Sequence, residues 1–352
     1  MQTVKINTGK GYNCIIGRGL LEKSGELIKE VCAARRIALV TDDTVNSLYA
    51  DTVENSLKTA GFECVKFVFP NGEGSKNIGT YSDMLEFMAE NRLTRKDCIV
   101  ALGGGVTGDM AGFCAATYLR GIDCVQIPTT LLSLVDSSVG GKTAIDLKHG
   151  KNLAGAFYQP RLVIADIDTL STLGRDVFAD GMAETIKYGV LFDREFFNSL
   201  KDKNIRENLE ETVKKCIEFK RDTVIKDETD LGIRGLLNFG HTVGHAIEKC
   251  SDYTVSHGRA VAVGMVIISR GAYRTGLAKE NISAELSELL ESFGLPVSTD
   301  FTAEELYEAA VNDKKTDGNM ITLILPETVG KCRLYKTDFS ALREIIEKGL
   351  AR

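Results

Sequence analysis

Seven short apolar runs punctuate the first half of this 352-residue chain: TVKIN, CIIG, RIALVTDD, ECVKFVFP, CIVALGGG, CVQIPTT and LVIADID. Stretches with helical periodicity separate several of them, for example TVNSLYADTVENSLKTAG and NIGTYSDMLEFMAENRL. Strands alternating with helices make βαβ units, and such units need a largely parallel sheet, because a parallel neighbour is reached only by a long crossover. The first two runs, parted by GKGY, predict a hairpin or an edge addition ahead of the parallel units. Beyond about residue 172 the pattern changes. Segments 174–191, 204–227, 236–250, 258–276, 282–293 and 302–312 carry apolar residues three and four apart and predict helices. MITLILPETVGKCRLYK predicts a late hairpin, and ALREIIEKGL a closing helix. The expected architecture is α/β, with a mostly parallel sheet domain at 1–171 and a mainly α-helical domain at 172–352.

A net charge of −6 argues against a nucleic-acid partner, which asks for a basic face. The longest apolar run, near AVAVGMVII, is too short to cross a bilayer, and MQTVKINTGK lacks the apolar core of a signal peptide. Nine cysteines, an odd number with no CxxC pair, read as reduced thiols in a cytoplasmic protein.

Several loops carry chemistry. In LGGGVTG, Gly103, Gly105 and Gly108 satisfy G-x-G-x-x-G between a strand and a helix, where glycines admit a pyrophosphate to the helix N-terminus. The pattern lies about a hundred residues in, which departs from the usual dinucleotide-binding order, and a plain strand–helix turn reads the same way. VTDD, NGEGSKN and PTTLLSLVDSS each end an apolar run, where open α/β sheets collect ligands. Asp, Ser and Thr there also serve as ordinary helix caps. GGKTAIDLKHGKN lacks Walker spacing but gathers Lys142, Lys151 and Asn152 in one segment, where the lysines suit a phosphate or carboxylate as point charges, solvated surface lysines being the plainer reading.

Three of the four histidines fall within NFGHTVGHAIEKCSDYTVSHG. His241 and His245 share a helix face, and Thr242 stands where a zinc protease motif has its glutamate, which argues against that class. Glu248, one turn beyond His245, and His257 compete to complete a metal site, the latter with a carboxylate from elsewhere. Glu184 of GMAETIKYG offers such a carboxylate, with Lys187 three residues on and apolar neighbours around both. Spacing leaves the choice of three ligands open.

From VTDD to DKKT these segments, with TYLRG, GKNLAGAFYQP and HGRAVAVGM in consistent order, resemble the 3-dehydroquinate synthase family of sugar-phosphate cyclases. The resemblance implies a Rossmann-like N-terminal domain for NAD and a helical C-terminal domain for a divalent metal, zinc or cobalt. The implied substrate is a phosphorylated sugar acid, 3-deoxy-D-arabino-heptulosonate 7-phosphate (DAHP), converted to 3-dehydroquinate and phosphate in the shikimate pathway by transient oxidation at C5, phosphate elimination, re-reduction and aldol closure. By resemblance the metal ligands are Glu184, His241 and His257, His245 becomes an acid/base or substrate contact, and Glu248 a structural residue. Substrate contacts would be Asp136, Lys142, Asn152, Lys187, Lys220, Arg234, Asn238, His245 and Lys314. Among these Lys142, Asn152, Lys187, Arg234 and His245, together with Asp230, would be catalytic. Arg120 would reach the neighbouring subunit's site, implying a homodimer. The NAD set would be Asp42, Glu73, Lys76, Gly104, Gly105, Asp109, Thr129, Thr130, Lys151 and Thr169. Two departures stand out: Arg259 replaces the family's usual acid beside a ligand, and Asp230 stands where a glutamate is usual. Alternatives are another cyclase, such as a 2-deoxy-scyllo-inosose synthase, or a metal-dependent NAD(P) alcohol or glycerol dehydrogenase.

Overall fold

All seven apolar runs of the first half are strands, and they lie in one sheet. The computed structural model describes residues 1–9, 11–202, 205–314 and 320–351, apart from the side chains of 312–314. In chain order, β1 (Gln2–Ile6) and β2 (Tyr12–Gly17) precede α1 (Ser24–Val31), β3 (Arg36–Asp42), α2 (Asp43–Val45), α3 (Asp51–Thr59) and β4 (Glu63–Phe69). Next come α4 (Ile78–Glu90), β5 (Cys98–Gly103), α5 (Gly105–Thr117), β6 (Asp123–Pro128), β7 (Lys142–Leu147), β8 (Gly150–Phe157) and β9 (Leu162–Asp166). Helices follow: α6 (Arg175–Phe192), α7 (Arg194–Ser199), α8 (Leu209–Lys226), α9 (His241–Cys250), α10 (His257–Arg274), α11 (Ser283–Ser292) and α12 (Ala303–Lys314). The expected late hairpin is β10 (Met320–Thr328) with β11 (Lys331–Asp338), and α13 (Phe339–Leu350) closes the chain.

By packing, the described residues form two units, 1–173 with 209–229 and 174–208 with 230–352. A boundary at 171 leaves α8 with the helical half. In the structure α8 packs with the sheet unit, burying Val213, Cys216, Ile217 and Val224.

The sheet order is β1-β2-β9-β6-β5-β3-β4, antiparallel only between β1 and β2, so the first pair is the expected edge addition. Its central strands read as unbroken apolar runs because both faces are covered. Val100 and Leu102 of β5 point into a core with Val53 and Leu57 of α3. Their neighbours Ile99 and Ala101 point the other way, into a core with Met84 of α4 and Met110 of α5. Each such Leu, Ile or Val, buried in full, contributes roughly 1.5–3 kcal/mol. From β3 the chain moves outward to β4, whereas from β5 it moves the other way to β6 and β9. The strand order therefore reverses between β3 and β5, and the crevice beyond the C-terminal ends of those two strands is where such sheets bind ligands.

The glycine-punctuated stretch after residue 139 is a separate hairpin, β7 against β8. All nine cysteines are free thiols, and Cys14, Cys98, Cys114, Cys124 and Cys216 are at most 2% exposed. Burial pushes the thiols of Cys114 and Cys124 up to about 12. Among the described residues no helix is long and apolar enough to cross a membrane.

Candidate active site and metal centre

In the sheet unit, the residues expected around a dinucleotide gather at the C-terminal ends of parallel strands. Asp42 ends β3, where its Oδ1 accepts from the Val45 backbone N–H at 3.0 Å and from Asn71 Nδ2 at 3.2 Å. It is therefore a helix cap, as one reading of VTDD had it. Gly104 caps α5 with no side-chain cap bond, leaving the helix start to backbone N–H groups. A Cβ on Gly104 would stand 3.2 Å from Thr130 Cγ2, and one on Gly105 3.3 Å from Ser137 Oγ. Side chains at either position would crowd the approach to this helix end. Thr129 follows β6, its N–H donating to Gly103 O at 3.0 Å, while its buried hydroxyl has no partner among the described residues. Thr169, past β9, donates its hydroxyl to Asp166 O at 2.7 Å. A glycine-lined strand end, a helix start and an orphaned hydroxyl together fit a phosphate-bearing dinucleotide.

Lys76 ties this edge together. Its buried Nζ donates to Asp109 Oδ2 at 2.7 Å and to Asn152 Oδ1 at 2.6 Å. Burial works against its charge, but Asp109 and Glu73 outweigh burial and hold its pKa above the usual lysine value. Lys151 Nζ stands 3.8 Å from Glu73 Oε1. Lys220, on α8, donates to Asp136 Oδ1 at 2.8 Å. Arg120 and Asn152 both hold positive φ, +67° and +56°, and Lys142 opens β7 exposed.

In the helical unit, α6 is buried through its middle, Gly181 to Leu191. That explains the apolar neighbours of Glu184 and Lys187, each 1% exposed. A buried carboxylate needs partners to stay charged. Glu184 Oε2 pairs with Lys187 Nζ. Its Oε1 lies 3.7 Å from His241 Nε2 and 3.6 Å from His257 Nε2. The two imidazoles open helices: His241 begins α9, His257 begins α10. The helices can approach because a Cβ on Gly264 would fall 2.1 Å from Gly240 O.

The other ring nitrogens are held too. His241 Nδ1 is 3.1 Å from Phe239 O, and His257 Nδ1 is 3.4 Å from Glu248 Oε2. Acceptors at Nδ1 hold the N–H there and turn Nε2 toward Glu184, so Nε2 is the nitrogen that a metal would take in place of a proton. Burial, reinforced by Lys187, holds His241 well below the ordinary imidazole value. For His257 burial acts in the same direction, but the hydrogen bonds its ring donates to the Glu184 and Glu248 carboxylates prevail and push it up to about 10. One carboxylate and two imidazoles with ligand atoms within 4.8 Å of one another fit a zinc-type ion with an open position. A second cluster of the same tightness, His245, Glu248 and His257, shares one residue with the first.

The exposed His245 has its ring 5.4 Å from that of His241 and 6.1 Å from that of His257. Asp230, with φ +60°, the buried Arg234 and the exposed Asn238 line up in the segment that leads into α9. The Lys314 side chain lies outside the described residues. Sequence reasoning missed the contact of Glu248 with His257. Its only signal there was helical spacing, which pointed to ligation instead.

Residues 66–180 match the 3-dehydroquinate synthase N-terminal family and 181–316 its C-terminal counterpart. The chain is 44% identical to the 3-dehydroquinate synthase of Streptococcus suis, covering 96% of this chain and 97% of that one. Among solved structures, a 2-deoxy-scyllo-inosose synthase complexed with carbaglucose-6-phosphate, NAD+ and Co2+ superposes with a TM-score of 0.88 at 26% identity, over 99% of this chain and all of its own. The 2-epi-5-epi-valiolone synthase of Streptomyces hygroscopicus, with NAD+ and Zn2+ bound, shares the fold with a TM-score of 0.87 at 24% identity, covering 96% and 95%.

Proposed function

The chain belongs to the 3-dehydroquinate synthase family, and from that premise we propose how its residues convert DAHP into 3-dehydroquinate and phosphate. The reaction is a carbon–oxygen lyase step followed by ring closure. When bound, NAD would supply reversible hydride transfer at C5, with net redox of zero, and a zinc or cobalt ion would supply Lewis acidity toward the C5 hydroxyl. Glu184, His241 and His257 hold the ion, and the convergence of both imidazoles on one buried carboxylate oxygen carries this reading. Lys187 pairs with Glu184 and presents a cation to the substrate. His245, exposed beside the ligands, moves protons at the reacting carbons, with Asp230 as a further proton acceptor. Lys142, Asn152, Lys220, Arg234, Asn238 and Lys314, with Asp136 orienting Lys220, bind the carboxylate and phosphate of the substrate. The residues at the strand ends, Asp42 through Thr169, bind NAD. Arg120 completes the site of a second copy in a homodimer, and the nine free thiols suit a reducing cytoplasm.

Phosphate release from DAHP is the test. It should require NAD, stop with a chelator, resume with zinc or cobalt, and leave no lasting reduced nicotinamide. Accumulating NADH would mark a net dehydrogenase, and turnover of glucose 6-phosphate in place of DAHP would mark the inosose-type cyclase.

A further inference from the structure

Ser256, the residue before α10, makes no capping bond to its own helix. Its hydroxyl instead donates to Asp180 Oδ1 at 2.7 Å. The same oxygen accepts the Arg259 backbone N–H at 3.1 Å, one of the orphan donors at the start of α10. Asp180 belongs to α6, one turn ahead of Glu184. The cap of α10 is thus supplied by a different helix. Gly258 makes the approach feasible, since a Cβ there would stand 2.4 Å from Asp180 Cα. Arg259 adds a looser hold, its Nη1 lying 3.4 Å from Asp176 Oδ1 a further turn back on α6.

His257 is the first residue of the helix so anchored, and its Nε2 must meet Glu184 Oε1 across the same junction. Resting on the reading of Glu184, His241 and His257 as ligands, we propose that Asp180 is a positioning residue for the metal. By capping α10 from α6, it fixes His257 opposite Glu184. A residue that merely stabilised the fold would change the melting temperature. One that sets ligand geometry changes metal affinity and the visible spectrum of bound cobalt.

The test titrates the metal-free full chain with Zn2+ against a chromogenic chelator and records the Co2+ spectrum. Asp180→Ala should weaken Zn2+ binding about 10- to 100-fold, the range usual for residues supporting a ligand, and should alter the Co2+ bands. Asp180→Asn keeps an acceptor oxygen and should recover most of the affinity. Asp176→Ala, at an exposed partner, should bind nearly as the parent does. Ser256→Ala removes one donor only and serves if Asp180→Ala does not fold; it should weaken binding several-fold. Parent affinity in both Asp180→Ala and Ser256→Ala, or equal loss in the Asn and Ala variants, overturns the proposal while His257→Ala still fails to bind. Parent affinity in His257→Ala would instead overturn the ligand reading beneath it.

Discussion

Glu248 Oε2 stands 3.4 Å from Nδ1 of His257, on the far side of the ring from the nitrogen that faces Glu184. Helical spacing makes Glu248 a natural third ligand to His241 and His245. In space it backs the imidazole and fixes its tautomer. His257→Ala should therefore lose the metal altogether. Glu248→Ala should still fill with one ion per chain at excess metal, with affinity lower by about 10- to 100-fold, and Glu248→Gln should lie between. Elemental analysis after dialysis decides it. Metal lost from the Glu248 variant but kept in the His257 variant would exchange their roles.

Gly264 sets how closely α9 and α10 pack. An added methyl would meet Gly240 O at 2.1 Å and Gly244 N at 2.8 Å, backbone atoms that have little room to yield. Gly264→Ala should cost about 1–3 kcal/mol by overpacking, and it should also weaken metal binding, because His241 opens the displaced helix. Denaturant unfolding and a metal titration on the same preparation check both. Undiminished stability together with undiminished affinity would refute the packing account.

Lys76 and Asp109 form a largely buried pair, 2.7 Å apart. Lys76→Met strands a carboxylate and should destabilise by roughly 3–5 kcal/mol, with loss of NAD affinity. Asp109→Leu added to it should restore part of the stability, since no unpaired charge then remains. Strictly additive losses in the double variant would show that the two residues act independently.

Asp97 sets an acid limit to stability. Burial alone would raise its pKa. The carboxylate instead accepts from the Thr94 backbone at 2.7 Å and the Arg36 backbone at 2.8 Å, and these bonds bring it below the usual aspartate value. Its contribution is present above the unfolded pKa of about 3.9 and is lost as pH falls through the lower folded value. Asp97→Asn should cost about 1–3 kcal/mol at neutral pH and flatten the stability curve in acid. A parallel acid limb in variant and parent would count against this assignment.

The sheet was legible because each central strand is covered on both faces, so that its apolar run stands out without regard to period. The hairpin β7–β8 was not. Its residues LAGAF alternate half-exposed with exposed, and its partner KTAIDL buries only Thr143 and Ile145, so no apolar run separated the hairpin from a loop. α8 showed its helical period but not its address, since periodicity reports that one face is buried and not what covers it. The metal site was legible in composition and ambiguous in membership. His241 and Glu184 meet in space although 57 residues apart, a proximity that helical spacing cannot report. Arg259, a departure with no evident role in the sequence, faces the α6 carboxylate of Asp176 in the structure.

The buried cysteines give the chain an internal stopwatch. Cys98 and Cys124 lie in neighbouring strands, Cys114 on the helix packed over them and Cys216 on α8, all sealed from solvent. A thiol-labelling reagent can reach them only in molecules that have opened. The order in which these four sites take up label would report, without any added probe, which part of the sheet unit lets go first.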